Sequence, residues 1–140
     1  MAQLNSGIAQ IAALRTQVAT LQPWFPFSQG SNAPAVISTS QFVPVEYRCR
    51  PARVRLTTNA APVGSALTVQ FWARVNGTDA AFAVLQIDDG STTAQRYDYD
   101  HSWPGLLDPA TDDGFYVKAV SVGSSVAAQG VYAPILVAAV

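Results

Sequence analysis

Cysteine, histidine and glutamate each occur once in this chain, as Cys49, His101 and Glu46. A single cysteine cannot build an internal disulfide framework or a cysteine-rich zinc module. A single histidine leaves no second imidazole for a histidine metal site. It also stands without a nucleophile elbow that would make it a relayed base. Paired carboxylates for glycoside cleavage sit roughly 5–9.5 Å apart, and with one glutamate such a pair would have to come from the aspartates. Charge is scarce too: 12% of residues are charged, and the formal net charge is −1. A general nucleic-acid binder needs many cations facing phosphates, so no nucleic-acid partner is expected. Long apolar runs are missing: nothing approaches the roughly 20 residues of a membrane-spanning helix, so no membrane insertion is expected. Residues 1–22 also lack the basic and apolar regions of a secretory signal. No catalytic residue, metal or cofactor is expected.

What is present is apolar: 49% of the 140 residues are hydrophobic. That argues against disorder and fits one domain with a short appendage. The appendage spans residues 1–22. Leu4, Ile11 and Val18 recur at one seam position and Leu14 and Leu21 at the other, with Gly7 in the missing place. This a/d spacing over about three heptads predicts a coiled-coil helix that self-associates. The other reading is an amphipathic helix packed on its own domain. With β-branched residues at a and leucine at d, the pattern by itself favours a dimer.

Residues 23–34 read as a linker. Pro23 and Pro26 stop the helix, and Trp24, Phe25 and Phe27 lie around them. Three large rings on a short linker would form an apolar patch of the kind that marks an interaction site. They are therefore expected to attach the protein to a partner; the competing reading has them cap the protein's own sandwich.

From residue 35 to 140 the pattern is β. Leu67, Val69, Phe71, Ala73 and Val75 alternate with Thr68, Gln70, Trp72 and Arg74, the period of a strand with one face on a core. Asn76-Gly77 follows, a strong type I′ hairpin signal. Further strands are expected near 35–38, 41–47, 53–58, 82–87, 92–99, 115–122 and 131–139. The apolar end, from Val131 to Val140, reads as a strand buried on both faces. Eight short strands with no second helix predict an antiparallel β-sandwich, jelly-roll-like.

The chain resembles a family at three stretches: Ala61 to Val69 leading to Asn76-Gly77, Ile87 to Thr93, and Val117 to Ser124. Their grammar is similar to the small β-sandwich surface modules of tailed-bacteriophage virions, the head fibres, tail-tip fibres and capsid decoration proteins. The resemblance covers roughly residues 41–140. It implies a non-enzymatic structural protein located in the virion, a homo-oligomer, trimeric by this resemblance, and contacts with other virion proteins. The long aromatic and acidic loop from Trp103 to Gly114 departs from the family pattern.

Some residues stand out individually. Tyr97, Tyr99, His101 and Trp103, with Tyr116, offer flat apolar faces that suit either sugar rings or subunit contacts. They are the expected ligand or partner surface, with a host-surface glycan as the ligand and a carbohydrate-binding module as the competing class. Asp98, Asp100 and His101 supply oxygens and an imidazole, but strand ends favour aspartate for local backbone bonding. Arg48, Arg50, Arg53 and Arg55 form a cationic run expected on a solvated or interface face. Cys49 among them reads as a small buried strand residue, and Asp112-Asp113-Gly114 as a turn.

Overall fold

The computed structural model describes residues 24–25, 33–99 and 103–140. Among them the chain is mainly β, with nine strands and one short 3-10 turn at Pro109–Thr111. The strands are β1 (Trp24–Phe25), β2 (Ser38–Thr39), β3 (Val43–Pro44), β4 (Cys49–Leu56), β5 (Leu67–Val75), β6 (Thr78–Ile87), β7 (Gln95–Asp98), β8 (Gly114–Val122) and β9 (Ile135–Ala139). All pairings are antiparallel. One sheet has the order β1-β9-β4-β7; the other has β2-β8-β5-β6, with β3 on the same edge of β8 as β2. No described helix is long and apolar enough to cross a membrane.

The alternation in β5 is borne out residue by residue. Leu67, Val69, Phe71 and Ala73 are fully buried, and the intervening side chains face outward. Asn76 and Gly77 take φ of +50° and +80°, the positive values a type I′ turn requires. β6 therefore begins at once, at Thr78, four residues before the expected Phe82. Phe71 and Phe115 are the largest fully buried side chains. They join residues of both sheets, among them Val54, Leu56, Ile87, Leu107, Ile135 and Val137, in one core cluster. Burying a side chain of this size contributes roughly 1.5–3 kcal/mol.

Departures from strict period two coincide with shifts of register. The β4–β9 ladder slips between Pro51 and Arg53, so Cys49 and Pro51 point inward ahead of the slip, and Val54 and Leu56 after it. The β5–β6 ladder slips opposite Phe82, which leans onto Phe71 and Phe115. β9 is shorter than expected because its ladder with β4 starts after Pro134, whose carbonyl still accepts from the Arg55 amide. Its residues Ile135, Leu136 and Val137 are all buried, as a strand covered on both faces requires.

The helix expected over residues 1–22, with Leu4, Ile11, Leu14, Val18 and Leu21, falls outside the described residues, as does Phe27. Within the span 23–34 only residues 24–25 and 33–34 are described. Trp24 and Phe25 pair with Leu136 and Ile135 as an edge strand of the four-stranded sheet. Backbone amides in reach of an open sheet edge gain partners by pairing, so the backbone of these two residues extends the sheet.

Candidate functional site

The outer face of the five-stranded sheet carries a cluster of rings and charges. Because Phe71 and Ala73 point into the core, Gln70, Trp72 and Arg74 must point away from it. Register sets their neighbours: Trp72 lies opposite Tyr116, and Gln70 opposite Lys118, on β8. The Trp72 and Tyr116 rings are 5.8 Å apart and within 15° of parallel. The Lys118 ammonium sits over both, 4.0 Å from the Trp72 centroid and 5.9 Å from that of Tyr116. Phe42, from the segment before β3, tilts against Tyr116 at 6.5 Å, and the Arg74 guanidinium lies 4.5 Å over its ring.

Polar bonds hold this cluster in place. Trp72 Nε1 donates to Gln70 Oε1 at 3.0 Å. Arg74 grips Asp79 with two bonds, of 2.7 and 3.0 Å, and the Tyr116 hydroxyl donates to Asp79 Oδ2 at 3.0 Å. Hydrogen bonding from Arg74 holds the Asp79 carboxyl below the usual carboxylate range. Burial first, and then the bond to Asp79, pushes the Tyr116 phenol up. The result is a half-buried aromatic pair with a hydrogen-bonded polar rim.

The expected ligand surface is distributed differently. Tyr97 and Trp103 are half-buried and pack against the core. Tyr99 meets Phe82 edge-on at 5.3 Å and Tyr97 at 6.3 Å, and burial pushes its phenol up to about 12. These rings serve mainly as the margin of the core. Tyr97 does line an open groove of about 390 Å³ with Ala81, Phe82, Ala83 and Val84. Tyr116 belongs to the other face, and His101 lies outside the described residues. Sequence reading missed Trp72, although a tryptophan at a polar-face position of β5 was the available signal.

Arg53, Arg55 and Arg96 share the outer face of the four-stranded sheet, while Arg48 lies 3.9 Å from Asp108. Arg53 lies opposite Asp98, and Arg55 opposite Arg96. Asp98 accepts from Arg53 at 2.6 Å and is 3.5 Å from Arg96, which leaves it committed to arginines. The Arg53 bond is the main reason its carboxyl titrates low. Among the described residues no three His, Cys, Asp or Glu side chains gather as metal ligands would. Cys49 is buried, and burial raises its thiol to about 11, the opposite of an activated nucleophile.

Asp113 does more than shape a turn. Its carboxylate is buried and accepts from the Asn76 amide at 2.8 Å, the Thr111 hydroxyl at 2.8 Å and the Asp108 amide at 2.9 Å. Its carbonyl accepts from the Val45 amide at 2.9 Å. One residue thus ties the β5–β6 hairpin to the 108–113 loop and to the segment that follows β3.

No protein-family model matches this chain. No curated protein matches it either. Among solved structures it is similar to a chain in the structure of infectious bursal disease virus, Gt strain, at 13% identity and a TM-score of 0.29. The match covers 84% of this chain and 32% of that one, so this chain spans about a third of the length of the structure it matches. Overlap that loose carries no argument about function. The class defined by the strands themselves is an antiparallel, mainly-β protein with two sheets around a shared core. No family model supports the resemblance to tailed-phage surface modules.

Proposed function

We propose that this chain is a non-enzymatic structural protein of a tailed-phage virion, forming an oligomeric fibre, spike or tail-tip component that projects from the particle. The observation that carries this reading is the winding of the two sheets. With β2 and β3 counted as one interrupted strand, the sheets run 1-8-3-6 and 2-7-4-5 in chain order. We read this as a jelly roll, two Greek keys folded together, the architecture of viral capsid and lectin domains. Fold alone does not fix function, so the side chains must agree with it. They do so through a sparsely charged sequence and a half-buried, outward-facing cluster of Trp, Tyr and Arg, the residue types that dominate protein contacts.

Self-association is part of the proposal. The heptads of residues 1–22 motivate it, and the family resemblance motivates a trimer. A capsid decoration protein is the nearest alternative within the class, and copy number separates the two. Quantitative mass spectrometry of purified particles of the virus encoding this chain tests the reading. A few copies per particle are expected for a fibre or tail tip, and hundreds for decoration. Particles without the chain refute both.

The Trp72–Tyr116 plane favours a second reading, a carbohydrate-binding module. Lectin domains use the same architecture, and a flat aromatic face suits a sugar ring. A glycan-binding screen with the full chain tests it; saturable binding to a defined glycan is the supporting result.

A further inference from the structure

We propose that Trp72 and Tyr116 form a stacking site for a carboxylated pyranose, a uronic- or sialic-acid residue of a glycan, whose carboxylate is received by Lys118. This deepens the glycan reading above and is independent of any location in a particle. The geometry starts with the Lys118 ammonium, 4.0 and 5.9 Å from two ring centroids that are themselves 5.8 Å apart. In a face-to-face stack, an atom lying over the outer face of one ring would be far more distant from the second. The rings therefore lie side by side, half-buried, and share the face on which Lys118 rests, a face that a ligand reaches when the Lys118 side chain swings aside. A pyranose turns its own C–H face to that one, and the contact is apolar and dispersive.

The rim supplies the polar half of recognition. Gln70 and Asp79 are anchored by Trp72, Arg74 and Tyr116. An amide and a carboxylate each keep further capacity for sugar hydroxyls. Charge decides the ligand class. Arg74 is already paired with Asp79, whereas Lys118 has no ion-pair partner among the described residues and rests on the rings. An incoming carboxylate lets Lys118 exchange a cation–π contact for a charge-assisted hydrogen bond. Single-stranded nucleic acid also joins stacking to negative charge, but it needs a cationic groove that follows several phosphates. Beyond the paired Arg74, this face offers a single cation, Lys118.

Isothermal titration of the full chain with trigalacturonate and with sialyllactose tests the site, with maltotriose as the neutral control and an octathymidylate as the nucleic-acid control. At least one acidic sugar is expected to bind saturably, about tenfold more tightly than maltotriose, a ratio that added salt lowers. Lys118→Gln is expected to weaken that binding about tenfold, and Trp72→Ala at least as much. The Lys118 side chain lies outside the core, so Lys118→Gln carries the test even if Trp72→Ala fails to fold. The proposal is overturned if neither acidic sugar binds, if Lys118→Gln leaves affinity unchanged, or if the octathymidylate binds more tightly. None of these results touches the location of the chain in a particle, so the two readings fail separately.

Discussion

Replacing Asp113 by alanine removes the acceptor that ties three segments together. The side chain is 1% exposed and receives three hydrogen bonds. Two donors are backbone amides, of Asn76 and Asp108, and neither can turn away. The third, the Thr111 hydroxyl, can rotate toward the Asp108 carbonyl, which it already approaches at 3.3 Å. The loss therefore counts for two bonds. Bonds to a charged group contribute roughly 1.5–3 kcal/mol each, and a stranded buried donor costs about 1–3 kcal/mol. Partial access of water to both amides favours the low end, so Asp113→Ala should cost about 3 kcal/mol. For a domain whose whole stability is roughly 5–15 kcal/mol, that is a large share. Urea unfolding should show a lower midpoint with an unchanged slope, and the Asn76 and Asp108 amides should lose protection from hydrogen exchange. Asp113→Asn should fall between, because its carbonyl can serve one amide while its NH2 opposes the other. A cost below about 0.5 kcal/mol, the range of ordinary surface substitutions, would refute the role given to this carboxylate.

Other perturbations have expected outcomes. Gly114→Ala should destabilise strongly, because a Cβ there would collide with the Val43 carbonyl and the Pro44 backbone; a thermal melt close to that of the parent chain would contradict this. Phe71→Ala should cost about 3–5 kcal/mol by opening a cavity in the core, checked by the same urea titration. Cys49 and Tyr99 both titrate higher in the fold, at about 11 and about 12, than their ordinary values of 9.0 and 10.0. Above pH 9 the unfolded chain therefore holds fewer protons than the folded one, and stability should fall as pH rises from 9 to 12. Cys49→Ala should flatten the first part of that decline, and the native thiol should stay unreactive to a thiol reagent at pH 8. Deleting residues 1–22 should leave a β-rich, folded domain. Deleting 1–27 should also uncover the β9 edge at Ile135 and Leu136 and promote aggregation, as read by light scattering.

The sequence foretold most where local rules act without interruption. β5 could be read to the residue because its alternation is unbroken and Asn76-Gly77 fixes the turn. The start of β4 was not foreseen, because Pro51 argues against a strand interior and the register slip beside it destroys the period. The site was less accessible still. Trp72 and Tyr116 are far apart in the chain, and only the β5–β8 register makes them neighbours. Tyr97, Tyr99 and Trp103 looked like a platform because they are close in sequence, yet Tyr97 and Trp103 pack against the core and Tyr99 meets Phe82 edge-on. Asp113 carried the signal of a turn, and its hold on Asn76 depends on a loop closing over 37 residues, which no local pattern encodes.

The central claim, that this jelly-roll module is a structural part of a tailed-phage particle, meets its most direct test in electron microscopy. Particles of the virus encoding this chain would be decorated with a gold-labelled antibody raised against residues 35–140. Label confined to a fibre, spike or tail tip is the predicted result. Particles that carry no label, while the free protein binds the same antibody, would contradict it.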